Sequence, residues 1–160
     1  MTGLALLTVD GLLRDEASGA PIPTGRALYA AIASVHRLAL ISDQPASPWL
    51  ELNGFTDHQF VLEAHPTDPD DPAIRRLRQV ERLRGQGAHI ALLADPNPGV
   101  IAILASSGIP LLHYIHPAYA RPEYLPDHEA ALTPWQLMVD EVDRVRGLRA
   151  ADPRPDKDAL

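Results

Sequence analysis

The sequence predicts an α/β domain built around a mostly parallel sheet. Short apolar runs alternate along the chain with longer stretches of helical period, which is the pattern of strands joined by crossover helices. Five such runs and the helices between them take up the chain, and no internal repeat is evident. At 160 residues the chain has the size of one domain and can bury a substantial core.

The first half of the chain contains three of these apolar runs. The run LALLTV predicts the first strand, and the stretch after it carries turn residues without helical period. Thr24 is expected to cap the first helix. The predicted elements are a strand over residues 4–9, a loop over 10–23, a helix over 24–36, a strand over 37–42, a short helix over 46–54 and a strand over 58–63.

The second half begins with the clearest helix signal in the sequence. Asp71 is expected to be its N-cap, followed by Pro72 at the first helical position. Further elements are a strand over 88–94, a helix over 97–108, a strand over 109–115, a loop over 116–132 and a last helix over 133–149. Residues 150–160 are charged and contain proline, which predicts a disordered tail after a single domain over 1–149.

Composition excludes several classes of function. A net charge of −7 argues against non-specific binding to nucleic acid, because that binding depends on clustered basic residues. No apolar run reaches the roughly 18 residues of a membrane span, and no signal peptide is evident, so we expect a cytoplasmic protein without a membrane partner. The chain has no cysteine, and its one lysine is Lys157 in the tail.

Four stretches together resemble the haloacid dehalogenase (HAD) superfamily of phosphatases and related hydrolases. They are TVDGLL at the end of the first strand, ALISDQ at the end of the second, the arginine-rich helix, and ALLADPNPGVIAILASSGIPLL. In the family these positions carry an Asp-x-Asp motif, a serine or threonine, a lysine or arginine, and an acidic pair. The resemblance covers about residues 4–115, and no single motif is intact.

The resemblance implies a three-layer, Rossmann-like fold with a five-stranded parallel sheet in the order 5-4-1-2-3. The site would lie at the carboxyl ends of the strands, where open α/β sheets place their ligands. Only a loop and one helix fit between the first two strands, so a large cap domain is not expected.

The resemblance assigns catalytic positions to three residues. Asp10 matches the acid/base aspartate of the family, and Thr8 stands where the family has its nucleophilic aspartate. The motif lysine has an arginine in its place. The sequence leaves open whether Arg75, Arg76 or Arg78 faces the site, and Arg76 is the candidate if one of them points inward.

The phosphate and metal positions follow from the same resemblance. Ser42, Asp43 and Gly11 match phosphate-binding positions, and Asp95 with Asp10 would hold Mg²⁺.

This chain departs from the family at both acidic motifs. Thr8 replaces a charged ligand, which hard cations prefer, and the second acidic position after the fourth strand is Gly99. Any Mg²⁺ site is therefore expected to be weakened.

These departures predict a HAD-like domain that has lost phosphatase activity and binds a protein partner or a phosphorylated ligand. An active Mg²⁺-dependent phosphohydrolase that uses Asp10 stays open as an alternative, either with Asp10 as a shifted nucleophile or with a substitute nucleophile. An unrelated α/β binding protein is a third possibility. The sequence leaves the oligomeric state open.

Overall fold

The computed structural model describes residues 3–116, 118–119, 142–144 and 146–147. Nine helices and strands are defined among these residues. They are β1 (Leu4–Thr8), α1 (Pro23–Ala33), β2 (Arg37–Ser42), α2 (Ser47–Leu52), β3 (Phe60–Glu63), α3 (Pro72–Gly85), β4 (Ile90–Asp95), α4 (Pro98–Leu104) and β5 (Leu111–His113).

The strands form one sheet in the order β3-β2-β1-β4-β5, and every neighbouring pair is parallel. Read from the β5 edge, this order is 5-4-1-2-3. The predicted α/β class with a parallel sheet is confirmed. The central strand β1 is buried along its whole length because it has a strand on each side and helices on both faces.

Side chains of β1 alternate between two hydrophobic clusters, one on each face of the sheet. Ala5 and Leu7 pack in a cluster with residues of α1 and α2, including Tyr29 and Leu50. Leu4 and Leu6 pack on the other face, in a cluster that takes its helical members from α3 and α4: Val80, Leu83, Val100 and Leu104. The sheet therefore lies between two helical layers.

The start of α3 is as predicted. One carboxylate oxygen of Asp71, the N-cap, accepts the backbone N–H groups of Ala73 and Ile74 at 2.8 and 3.0 Å, and Pro72 occupies the first turn.

The start of α1 differs from the prediction. Its N-cap is Ile22, in extended backbone and without a side-chain cap, and Pro23 lies in the first turn. Proline favours this position because its ring presets the helical φ angle. Thr24, the predicted cap, instead shares a hydrogen bond with the hydroxyl of Tyr114 at 2.5 Å.

Several other elements are shorter than predicted. The first helix ends at Ala33 and α4 ends at Leu104, four residues before Gly108. The last strand begins at Leu111, because Pro110 has no N–H to give to the ladder.

The chain divides into two compact units, residues 1–125 and 126–160. In the second unit residues 142–144 and 146–147 are helical, and they fall within the predicted last helix. The rest of that helix and the predicted tail over 150–160 lie outside the described residues. Among the helices that are described, none has the length and apolar character needed to cross a membrane.

Gly25 sets the distance between α1 and the turn that follows β1. A Cβ atom at this position would lie 1.7 Å from the carbonyl oxygen of Leu12, so only glycine allows this approach. We predict that Gly25→Ala lowers the free energy of unfolding by at least about 1–3 kcal/mol, since the helix or the turn must move. Denaturant unfolding measures this loss.

Gly85→Ala is the matched control, because Gly85 is also helical and has no atom within 4 Å of an added Cβ. It should leave stability unchanged or raise it slightly, by up to about 1 kcal/mol, through better helix propensity. Equal stability of the two variants would contradict the steric role of Gly25.

Candidate functional site

Buried and half-buried polar residues gather at the edge of the sheet where β1, β2 and β4 end. Because the carboxyl ends of parallel strands meet at one edge, residues far apart in sequence become neighbours there. We call this group the carboxyl-edge cluster. Its members are Thr8, Asp10, Arg14, Ser42, Asp43, Arg75, Arg76 and Asp95.

A tight turn after β1 brings Arg14 back beside Asp10. Gly11 has a φ angle of 78°, which glycine adopts without strain, and its N–H donates to the carbonyl of Arg14 at 2.8 Å. The carbonyl of Val9 accepts the N–H groups of Leu13 and Arg14 at 2.8 and 2.9 Å. The turn therefore folds back on itself and places the guanidinium of Arg14 next to the carboxylate of Asp10.

Two N–H groups of Arg14 converge on one oxygen of Asp10. Nε lies 2.9 Å and Nη2 2.5 Å from Oδ1. The side chains of both residues are nearly buried, with 10% and 5% of their surface exposed. This pair is therefore a buried ion pair rather than a solvated surface contact.

The second oxygen of Asp10 accepts two more hydrogen bonds. The hydroxyl of Ser42 donates to Oδ2 at 2.7 Å, and the backbone N–H of Asp43 donates to it at 3.0 Å. A carboxylate has about four acceptor positions. Protein donors fill all of them at Asp10.

Asp95, at the end of β4, is held by three donors. The hydroxyl of Thr8 donates to Oδ2 at 2.6 Å, and Nε of Arg76 donates to the same atom at 3.0 Å. The backbone N–H of Asn97 donates to Oδ1 at 2.8 Å. The proton of the Thr8 hydroxyl is thus committed to Asp95.

Two arginines of α3, Arg75 and Arg76, belong to the cluster, and Arg76 is the more deeply buried. It is 1% exposed, and besides Asp95 it donates to Gln79 at 2.8 Å and lies 3.4 Å from an oxygen of Asp43. Arg75 is half-buried and donates to the other oxygen of Asp43 at 2.8 Å. Arg78 is exposed.

The cluster is balanced in charge and closely packed. Its three carboxylates pair with its three guanidinium groups. The cavity lined by Thr8, Asp10, Arg76 and Asp95 has a volume of about 30 Å³. A cavity needs roughly 10–15 Å³ to hold one water, so this space suits a water or two and not a phosphate ester.

The residues predicted to bind phosphate are adjacent but occupied. The Ser42 hydroxyl and the Asp43 N–H both donate to Asp10, and the Gly11 N–H donates within its own turn. The structure thus brings all the predicted site residues to one edge, while their catalytic, phosphate-binding and metal-binding roles stay predictions.

Sequence reasoning missed Arg14. The signal was present, since a basic residue follows four positions after Asp10 at the end of an otherwise apolar stretch. The pairing of Arg14 with Asp10 could not be inferred from the sequence, because the turn that folds Arg14 back is not a standard helix or strand.

The donor set does not fit Mg²⁺. Magnesium needs near-octahedral oxygen coordination and usually keeps several waters. Asp10 has no acceptor position left, and the Arg76 guanidinium already contacts Asp95. In the part of the chain that the structure describes, no group of three or more histidine, aspartate or glutamate side chains is arranged to hold a metal ion.

Glu63 connects the edge of the sheet to the first turn of α2. Its Oε1 accepts the N–H groups of Ala46 and Ser47 at 2.9 and 3.1 Å and the Ser47 hydroxyl at 3.0 Å. The pKa of Glu63 is lowered, chiefly by the hydrogen bond from the Ala46 N–H and with a smaller contribution from the charge of Arg14.

Comparison with solved structures shows a similarity of fold. A chain of the solved structure described as "Structure of the Pnkp1/Rnl/Hen1 RNA repair complex" aligns with 71% of this chain at a TM-score of 0.58 and 12% sequence identity. The present chain covers 42% of the length of that chain. No protein-family model and no curated protein matches the sequence.

Removing Arg76 tests the buried pair with Asp95. We predict that Arg76→Met lowers the free energy of unfolding by about 3–5 kcal/mol, because it leaves a buried carboxylate without its counter-ion. Denaturant unfolding measures the loss. Arg78→Met, on the exposed face of the same helix, is the control and should change stability by less than about 0.5 kcal/mol. Similar losses of stability in Arg76→Met and Arg78→Met would contradict the ion pair between Arg76 and Asp95.

Replacing Glu63 tests its hydrogen bonds to α2. The folded-state pKa of this carboxyl is lowered, so its contribution is present above the model-peptide value of about 4.5 and is lost as the pH falls through the folded pKa. We predict that Glu63→Gln lowers Tm at neutral pH, and that the difference from the unmodified protein shrinks in acid. Glu51→Gln, at an exposed position of α2, is the control. A Tm difference between Glu63→Gln and the unmodified protein that stays constant with pH would contradict this prediction.

Proposed function

We propose that this chain is a HAD-like domain without phosphatase activity, which acts by binding and not by catalysis. The strand order, with β1 between β2 and β4, supports the HAD-like assignment. So does the position of Asp10, Ser42 and Asp95 at the carboxyl ends of these three strands.

The state of Asp10 is the observation that carries the proposal. A general acid or base must reach the reacting group and exchange a proton with it. Four donors hold Asp10, and two of them belong to a guanidinium that keeps its positive charge at any ordinary pH. Neither oxygen of Asp10 can reach a reacting group without breaking this arrangement.

Thr8, at the predicted nucleophile position, is not a ready nucleophile. A hydroxyl needs an adjacent base to become nucleophilic. The acceptor of the Thr8 proton is Asp95, whose charge is already balanced by Arg76. The arrangement therefore suits a structural hydrogen bond better than phosphoryl transfer.

Of the two partner classes that the sequence leaves open, the geometry favours a protein. A phosphorylated ligand would need free donors and space at the carboxyl-edge cluster. The Ser42, Asp43 and Gly11 donors are used within the protein, and the cavity of about 30 Å³ is smaller than a phosphate ester requires.

An assay of phosphate-ester hydrolysis with Mg²⁺ tests the loss of catalysis. We predict that the unmodified protein hydrolyses p-nitrophenyl phosphate and nucleoside monophosphates no faster than buffer does, because its acid/base and nucleophile positions are both committed. Mg²⁺-dependent turnover that disappears in Asp10→Asn would contradict the proposal and favour an active phosphohydrolase that uses Asp10.

A titration with inorganic phosphate separates the two partner classes. Calorimetry should detect no binding at millimolar phosphate if the partner is a protein. Binding that is lost in Ser42→Ala would instead favour a phosphorylated ligand at this edge.

A further inference from the structure

We infer that Arg14 provides the positive charge that balances Asp10, so that the carboxyl-edge cluster is held together by a guanidinium from its own chain and excludes a divalent cation. This inference rests on the proposed function and adds the physical reason why the cluster does not bind a metal.

Burial makes a counter-charge for Asp10 necessary. Asp10 is 4% exposed, and an ionised carboxylate removed from water is costly unless it is paired and hydrogen-bonded. Arg14 meets both needs with one side chain, because its Nε and Nη2 groups donate to Oδ1 while it also supplies the charge.

The guanidinium of Arg14 is fixed by contacts beyond Asp10. Nη1 donates to the carbonyl of Pro45 at 3.1 Å, and Nη2 lies 3.3 Å from the hydroxyl oxygen of Ser42. The ring of Trp49 lies 5.4 Å from the guanidinium carbon, within cation–π distance. Three segments of the chain thus hold the group beside the carboxylate.

A divalent cation and Arg14 would compete for the same acceptor. Coordination requires a carboxylate oxygen with an open lone pair, but both oxygens of Asp10 already accept two donors each. A cation at this point would also be repelled by the fixed charge of Arg14. Removing the Arg14 guanidinium frees Oδ1 of Asp10 and leaves the negative charge of Asp10 without a counter-charge.

The test compares cation responses of the unmodified protein and Arg14→Met. Methionine keeps part of the side-chain volume and removes the charge. Thermal unfolding is recorded with EDTA, MgCl₂ or MnCl₂, and Mn²⁺ binding is followed by electron paramagnetic resonance. Arg37→Met is the matched control, because Arg37 also places two N–H groups on one oxygen, the side-chain amide oxygen of Gln59, but at an exposed position.

We expect no cation response in the unmodified protein or in Arg37→Met. Arg14→Met should have a lower Tm in EDTA and recover part of the loss with Mn²⁺ or Mg²⁺. At a cation concentration ten times the dissociation constant, this recovery should be about 2–6 °C. Folded Arg14→Met that binds no Mn²⁺ would overturn the inference, as would cation binding by the unmodified protein.

A double variant keeps the inference testable if Arg14→Met does not fold. Asp10→Asn/Arg14→Met removes both charges, so it should fold, show no cation response, and be more stable in EDTA than Arg14→Met. A double variant no more stable than Arg14→Met would overturn the charge-balancing role.

The hydrolysis assay distinguishes failure of this inference from failure of the proposed function. Mg²⁺-dependent turnover by the unmodified protein overturns both. An inactive protein whose Arg14→Met variant folds but ignores cations overturns the role of Arg14 alone.

Discussion

The burial of two carboxylates at the ends of neighbouring strands is the constraint on which the rest of the site depends. Asp10 and Asp95 are 4% and 1% exposed, at an edge that also holds Asp43. Carboxylates buried to this extent are stable in the ionised form only with positive charge and hydrogen-bond donors beside them. Arg14 reaches the cluster from the turn after β1, and Arg76 reaches it from α3. The turn after β1 is therefore fixed by its ion pair with Asp10, and α3 is fixed by its ion pair with Asp95.

Such an arrangement has a consequence for function. Catalytic carboxylates need an open lone pair, a mobile proton or a metal. Carboxylates in a closed ion-pair network are instead held in one position, with their lone pairs occupied by protein donors. Under the proposed function, the network uses residue types that also occur in hydrolytic sites to hold the edge of the sheet together. Buried ion pairs are not reliably stabilising relative to apolar packing. Their clear effect here is to fix which side chains face one another at the carboxyl edge.

Most of the fold was predictable because its signals are local. The apolar runs identified all five strands, and Asp71 followed by Pro72 located the start of α3 within one residue. Errors arose where two local signals competed, as at α1, where proline at position 23 determined the start and Thr24 was drawn into a contact with Tyr114. The bounds of β2 were predicted correctly, whereas the other four strands were predicted too long, because the bounds of a strand depend on whether its neighbour is within hydrogen-bonding distance.

By itself, the sequence determined that Thr8, Asp10, Ser42 and Asp95 follow buried strands, and therefore that they meet at one edge of a parallel sheet. Only the tertiary structure decided how they pair. Thr8 and Asp95 are 87 positions apart in sequence, yet the Thr8 hydroxyl lies 2.6 Å from a carboxylate oxygen of Asp95. Asp10 forms its ion pair with Arg14, which lies on a turn of irregular geometry. The expected strand order came from the family resemblance, because hydrophobic periodicity locates strands along the chain without ordering them in the sheet. Arg14 reaches Asp10 because the turn after β1 folds back and brings Nε within 2.9 Å of Oδ1, and that placement depends on packing around the turn rather than on any local sequence pattern.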